Sequence, residues 1–320
     1  MCNAPKITVL MPVRNGDRYL DSACASVLTQ AEVAIEFLIV DDGSSDTSPH
    51  ILRRLASSDD RVRIIRQAGE GIVAALNKGL REARAPLVAR MDADDLSLPG
   101  RFVRQLAYLD AKPHVAVLGT AWRKIDASGA ERGMVEPPSA ADMVRTALGQ
   151  RNCLAHSSVL MRRDLVLRHG VYRQALTGAE DYDLWLRLAE HHDIENLPEP
   201  LIAQREHANQ TTRLRLEQRI LAEIGANWLH RRRCEGPEPG FDAHAPMDRA
   251  SLAALGMSAE DLSSGIVARA LGTAIDALHG GDRTAARLAA KLVLAESPPR
   301  LRTRLHARLL LIRAVGRSVP

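Results

Sequence analysis

The chain has 320 residues, 46% of them hydrophobic, enough to bury one large core or two modest ones. Lys and Arg number 43 against 39 Asp and Glu, leaving a net charge of +4, and only 3% of residues are aromatic. The near-balance of charge gives no argument for a nucleic-acid binder, and the shortage of rings argues against a platform that stacks single-stranded bases.

Ile7 to Val13 is β-rich and nearly all apolar, the pattern of a central parallel strand. Asn15, Gly16 and Asp17 break it, and Leu20, Ala23, Cys24, Val27 and Leu28 then recur at helical spacing. Ile35 to Val40 predicts a second strand. It ends in the turn Asp41–Asp46, rich in N-cap residues, before a helix reaching about Leu55. Val62 to Ile65 predicts a third strand, and Gly69, Glu70 and Gly71 lead into a helix from Ile72 to about Ala83. Pro86 to Met91 is the fourth strand, Pro99 to about Asp110 a helix, and Val115 to Leu118 the fifth strand. Strands alternating with helices predict right-handed βαβ units and an α/β fold with a mostly parallel sheet flanked by helices.

Two acid clusters follow two of these strands: Asp41 with Asp42, and Asp92 with Asp94 and Asp95. Both fall on the carboxyl edge of the sheet, where open α/β folds bind ligands. Asp92 and Asp94 are two apart, which in an extended segment puts both side chains on one side. Crowded carboxylates repel unless a cation lies between them. A few hard oxygen ligands suit Mg²⁺ or Mn²⁺, with a phosphorylated substrate completing the shell. The bland alternative is an Asp-rich surface turn or helix cap before Pro99. Neither G-x-G-x-x-G nor G-x-x-x-x-G-K-[ST] occurs, so no glycine fingerprint or P-loop is expected.

Farther along, Trp122 to Pro138 reads as extended edge structure and loop, Asp142 to Leu148 as a short helix, and His156 to Met161 as a strand. Glu180, Asp181, Tyr182 and Asp183 open a helix, and acids in a first turn also suit the helix dipole with no further role. Pro198 and Pro200 flank a break, after which Leu201 to His207 reads as a short strand with His207 at its end. An Arg-rich helix is expected from Thr212 to Arg233, a linker from Cys234 to Pro246, and Ala- and Leu-rich helices after it. The domain reading is therefore an α/β domain over 1–212 and a helical C-terminal extension over 213–320, with its linker at about 234–246. Pro299 to Pro320 carries six arginines, no acid, and an apolar stripe of Leu301, Leu305, Leu309 and Ile312. Such a helix either docks with its basic face in water or lies on an anionic membrane surface.

Taken together, these motifs resemble the inverting nucleotide-sugar glycosyltransferases of glycosyltransferase family 2, which have the GT-A fold. The resemblance runs from about Ile7 to about Thr212. It is carried by Pro12 to Asn15, Val40 to Asp46, Gly71 with Asn77 to Gly79, and Met91 to Asp95 with Pro99, Arg101 and Gln105. Glu180 to Trp185 and the segment of Arg205 and His207 complete it. The resemblance implies that Pro12 and Arg14 line the base and ribose pocket and that Asp41 accepts from the base, most commonly uracil. It puts Asp42 and Asn77 on the donor side, Asp92 toward the ribose and sugar, and Asp94 on the metal. His207 would contact the metal or diphosphate, and Asp181 would be the catalytic base with Glu180 beside it. Two positions depart from the family pattern: Arg14 replaces a frequent tyrosine, and Leu76 a frequent arginine.

The resemblance also implies a saccharide or lipid-linked saccharide acceptor in bacterial surface polysaccharide or glycoconjugate synthesis, and no nucleic-acid partner. Cys2, Cys24, Cys153 and Cys234 are scattered, as expected of reduced thiols in a cytosolic protein. The opening residues lack a charged region followed by an apolar core, and no stretch reaches the roughly 18 apolar residues of a membrane span. The expected location is cytoplasmic, with the basic C-terminal helix offering contact with the inner face of the membrane. The competing readings are a sugar-phosphate nucleotidyltransferase, whose basic Gly-rich loop is reduced here to Arg14, Asn15 and Gly16, and a non-catalytic nucleotide-sugar-binding module. A haloacid-type phosphatase would carry its D-x-D on the first strand, which here ends in Pro12, Val13 and Arg14.

Overall fold

The computed structural model describes residues 4–207, 215–279 and 281–296, together with 307, 310 and 314. The chain divides into two units, Met1–Arg173 with Asp181–His207, and Gln174–Glu180 with Ala208–Pro320.

The first unit is a sheet with helices against it. Its first half comprises β1 (Ile7–Val13), α1 (Asp17–Leu28), β2 (Ile35–Asp42), α2 (Ser48–Ser58), β3 (Val62–Gln67), α3 (Ile72–Glu82) and β4 (Leu87–Arg90). The four strands run parallel in the order β3-β2-β1-β4. β2 is buried along its whole length and β1 at all but Pro12, which is why both read as unbroken apolar runs. Val9, Met11, Leu20, Val27, Phe37 and Ile39 share one core, and each such side chain contributes roughly 1.5–3 kcal/mol by leaving water. Gly79 lets α3 lie directly on β1, since a Cβ there would meet Leu10 Cδ1 at 2.1 Å.

The second half comprises β5 (Leu96–Ser97), α4 (Arg101–Ala111), β6 (Val115–Asp126), β7 (Glu131–Val135), α5 (Ala141–Leu148), β8 (Leu160–Arg162), α6 (Arg163–Arg168), α7 (Glu180–Ala189) and β9 (Asp193–Glu206). It continues the sheet as β4-β8-β6-β9-β5, with β7 on β6. β8 lies antiparallel between β4 and β6, so the sheet is mixed.

Three local expectations are corrected. Pro198 and Pro200 do not break the chain: β9 is one strand of 14 residues. Opposite it, Thr120 faces Leu197 but Ala121 faces Pro200. The strand bulges there, and a residue without an N–H costs the ladder nothing. His156 to Ser158 is a turn of 3₁₀ helix, and the strand is only Leu160–Arg162. The fifth strand does not stop at Leu118 but runs to Asp126.

The second unit contains α8 (Leu216–Glu235), α9 (Arg249–Ala254), α10 (Ala259–His279) and α11 (Arg283–Ala295). Asp248 and Asp282 cap α9 and α11, accepting from Ser251 N at 2.7 Å and Ala285 N at 3.1 Å. Ala274 on α10 packs against Ala289 and Ala290 on α11, small side chains that let the helix backbones approach. Among the described residues no helix is long and apolar enough to cross a membrane. The expected start of the Arg-rich helix at Thr212 and nearly all of the basic segment Pro299–Pro320 lie outside the described residues.

Candidate active site

The carboxyl ends of β1 and β2 carry two loops stitched side chain to backbone. Asn15 has φ of 53°, a conformation asparagine tolerates better than most residues. Its N–H donates to Ser44 Oγ at 3.0 Å, and its Oδ1 accepts from Ser45 N at 2.8 Å. Gly16 N donates to Ser48 Oγ at 3.0 Å, and Asp17 N to Asp46 Oδ2 at 3.1 Å. Gly43, with φ of 71°, presses on the loop after β3: a Cβ there would lie 2.9 Å from Gly69 N.

Asp41 is fully buried, accepts from Ser44 N at 3.0 Å and pairs with Arg66 Nε at 3.0 Å. Asp42 accepts from Gln67 Nε2 at 2.7 Å, Glu70 N at 2.7 Å and Gly71 N at 3.0 Å. Its carboxylate therefore pins the Gly69–Gly71 loop, with Arg14 3.6 Å away on the open side. Asn77 is also spent internally, donating to Tyr172 O at 2.8 Å and accepting from Tyr172 N at 3.0 Å. Of the donor-side residues named from the sequence, Pro12 and Asp92 are half-buried and Arg14 is exposed.

Asp92, Asp94 and Asp95 leave the end of β4 with one carboxylate oxygen each inside a 4.8 Å span. Asp92 pairs with the buried Arg90 and accepts from Ser157 Oγ at 2.7 Å. Burial works against the Arg90 charge, but Asp92 outweighs it and the guanidinium is held above its ordinary range. Asp94 Oδ2 lies 2.9 Å from His207 Nε2, and the Asp94 carbonyl accepts from Arg205 Nε at 2.9 Å. Asp95 Oδ1 accepts from Arg205 N at 2.8 Å, while Oδ2 is buried without a hydrogen-bond partner. Burial, then repulsion from Asp94 and Asp92, pushes the Asp95 carboxyl well above the usual range. An orphaned buried carboxylate oxygen beside two further carboxylates fits a hard divalent cation, Mg²⁺ or Mn²⁺, which would lift both penalties.

Asp181 starts α7. Its Oδ2 accepts from Asn152 Nδ2 at 2.9 Å and its Oδ1 from Tyr182 N at 2.7 Å. Glu180, in the other unit, accepts from Gly178 N at 2.6 Å. The segment Asn152–Ser157 is what joins Asp181 to the acid cluster: Asn152 holds Asp181 at one end and Ser157 holds Asp92 at the other. Between them the half-buried His156 lies beside Tyr172 Oη at 2.9 Å and the edge of Trp185, whose ring centroid is 6.0 Å away. Burial, then the Arg90 charge, holds the imidazole well below its ordinary pKa, so it is neutral.

Sequence reasoning missed Arg90, Asn152, His156, Ser157 and Tyr172 as parts of this site, because they lie on short or irregular segments. It also missed Tyr19, whose ring centroid is 5.1 Å from that of His207 and 4.5 Å from the Arg205 guanidinium. A buried arginine so near an acid cluster was the one usable signal, since Arg90 interrupts an otherwise apolar strand.

Residues 8–170 match the model of a family described as glycosyl transferase family 2. The amylovoran biosynthesis glycosyltransferase AmsE of Erwinia amylovora is 32% identical, over 68% of this chain and 82% of its own. The O-antigen biosynthesis glycosyltransferase WbnJ of Escherichia coli is 31% identical, over 64% of this chain and 81% of its own. Among solved structures, the mannosyltransferase PcManGT of Pyrobaculum calidifontis, in complex with GDP-Man and Mn²⁺, superposes with a TM-score of 0.59. It is 21% identical and covers 98% of this chain and 87% of its own. The 1–349 fragment of TarS from S. aureus in complex with UDP-GlcNAc gives a TM-score of 0.56 at 18% identity, over 97% of this chain and 89% of its own. These neighbours share the fold that the sequence resemblance implied.

Proposed function

The chain belongs to glycosyl transferase family 2, and on that footing we propose that it moves a sugar from a nucleoside-diphosphate donor to an acceptor hydroxyl with inversion. The observation that carries the reading is the segment Asn152–Ser157, which hydrogen-bonds Asp181 at one end and Asp92 at the other. A carboxylate suited to take a proton and a cluster suited to a cation-bound diphosphate are thereby fixed to one short stretch of chain.

Asp94, with Asp92, Asp95 and His207, would hold Mg²⁺ or Mn²⁺, which when bound supplies neutralisation of the charge developing on the leaving diphosphate. Asp181 takes the proton of the acceptor hydroxyl, a step that needs an approach of about 2.6–3.2 Å. Asn152 and the Tyr182 N–H fix the carboxylate plane for that approach. One in-line displacement inverts the anomeric carbon. Arg14, exposed beside Asp42, presents a guanidinium to the donor at the mouth of the stitched loops. His207 and Arg205 hold the chain around Asp94 in place. Glu180 remains a supporting residue of the base.

UDP-sugar is the first donor to test. The names of AmsE and WbnJ support a place in polysaccharide synthesis, and we take the acceptor to be a saccharide or lipid-linked saccharide met at the inner face of the membrane. The chemistry is assigned to residues 1–212, with 213–320 as an extension. The test is Asp181→Asn, with donors first ranked by thermal shift in Mn²⁺. Transfer should fall by about 10²–10⁴-fold, with donor affinity within about twofold of wild type. Wild-type turnover in the purified variant refutes the assignment.

A further inference from the structure

Three histidines cluster where α6 ends and α7 has just ended. His169 Nε2 and His192 Nε2 are 2.9 Å apart, with ring centroids at 4.9 Å and planes edge-on. The His191 ring stacks on His169 with centroids at 5.1 Å. His191 is exposed and the other two half-buried. Two imidazole nitrogens this close share one proton, since only one of them can donate. The backbone beneath is fixed: Arg187 donates to the carbonyls of His169, Gly170 at 2.7 Å and Val171 at 2.7 Å, while pairing with Asp183.

We propose that His169 and His192, with His191 as the third imidazole, form a binding site for a borderline divalent ion of the Zn²⁺, Ni²⁺ or Cu²⁺ class. The donor set is all nitrogen, which favours those ions over Mg²⁺ or Mn²⁺. It is thus chemically separate from the carboxylate-dominated cluster after β4. Tetrahedral ligands at the Zn–N distance of about 2.0–2.1 Å lie roughly 3.3 Å apart, so the pair opens by only a few tenths of an ångström. As the rings stand, only the His169–His192 pair is at ligand spacing, and among the described residues three ligand atoms converge only at Asp92, Asp94 and Asp95; His191 would join by turning its ring off the stack.

The charges around the pair set its pH range. Burial, then His192, His191, Arg168 and Arg187, lower the His169 pKa. Burial, then His191 and Arg168, lower that of His192, against Asp164 and Asp193. Arg168 is paired with Asp164 at 2.8 Å, and Asp193 with Arg145 at 3.4 Å and His114 at 3.9 Å. Both rings are therefore neutral at pH 7: one already presents an Nε2 lone pair, and the other presents its own once its proton sits on Nδ1 instead of Nε2.

The test titrates Zn²⁺ into the full chain in excess Mg²⁺ by calorimetry, for wild type, His169→Ala, His192→Gln, Asp94→Asn and Cys234→Ser. The last arm is needed because His230 Nε2 lies 3.9 Å from Cys234 Sγ. Loss of a direct ligand should weaken Zn²⁺ by more than the roughly 10–100-fold that losing a supporting partner costs. It should do so in both histidine variants, with Asp94→Asn and Cys234→Ser matching wild type. Cu²⁺ added to the wild-type chain should show coupling to at least two imidazole nitrogens in its EPR spectrum, a readout that needs no variant to fold. No Zn²⁺ binding, loss confined to Asp94→Asn or Cys234→Ser, or a Cu²⁺ spectrum without such coupling, each overturns the proposal and leaves a hydrogen-bonded histidine pair.

Discussion

Replacing Asp42 by asparagine keeps the shape of the side chain but removes its charge and turns one acceptor oxygen into a donor. In the native structure Oδ1 receives Gln67 Nε2 and Glu70 N, and Oδ2 receives Gly71 N. With the asparagine amide toward Gly71, two donors face each other. With the amide the other way, Gln67 can flip and accept through Oε1, which now has no partner, but Glu70 N is then stranded. Either arrangement leaves one backbone N–H unsatisfied, at about 1–3 kcal/mol, and weakens the remaining bonds from charge-assisted to neutral. The expected loss is about 2–4 kcal/mol in all. Arg14 adds little, since it is 56% exposed and 3.6 Å away. Urea unfolding measures the stability and calorimetry the donor affinity. An unfolding free energy within about 0.5 kcal/mol of wild type, a change ordinary for a surface site, refutes the argument. Lost donor affinity with unchanged stability would mean that Asp42 touches the donor directly.

Three further outcomes are expected. Excess EDTA should stop transfer, and Asp94→Asn should raise the Mn²⁺ dissociation constant more than about tenfold, or 1.4 kcal/mol, by EPR titration; full turnover in EDTA contradicts the cation site. His156 is held neutral in the folded state, so below its unfolded pKa of about 6.5 the unfolded chain binds the extra proton and stability falls by up to about 1.4 kcal/mol per pH unit. His156→Gln should therefore show a shallower loss of stability between pH 6.5 and 5 than wild type, and parallel curves would refute that account. Gly43→Ala places a Cβ at φ of 71° and 2.9 Å from the Gly69 nitrogen. It should cost about 1–3 kcal/mol in strain alone, and a melting temperature equal to wild type would show that the two loops yield freely.

The sequence was most legible where one physical cause dominates. β1 and β2 are buried on both faces and read as apolar runs, and the acids that end β2 and β4 fall where such strands deliver ligand-binding residues. It was least legible where pairing is set from a distance. β9 passes through two prolines because β6 tolerates a bulge opposite them, which no local pattern can show. Asn152, His156 and Ser157 sit on an irregular stretch whose conformation is fixed by Asp181, Tyr172 and Asp92, residues up to 65 positions away. Asp42 and Asn77 were expected on the donor side, whereas their hydrogen bonds in the structure go to the protein's own backbone and to Gln67.

Arg101 and Gln105 on α4 have a consequence for the whole first unit. Arg101 is fully buried, its pKa pushed down to about 9 by burial and then by the nearby Arg90, and it donates to the carbonyls of Arg90 at 2.9 Å and Val159 at 3.3 Å. Gln105 accepts from Arg101 and donates to the carbonyls of Leu118 at 2.9 Å and Ser158 at 2.8 Å. Two neighbouring turns of one helix thus rivet β4, β6 and the approach to β8. Arg101 holds the carbonyl of Arg90, and Arg90 pairs with Asp92, so damage to α4 would be felt first as a slackening of the acid cluster.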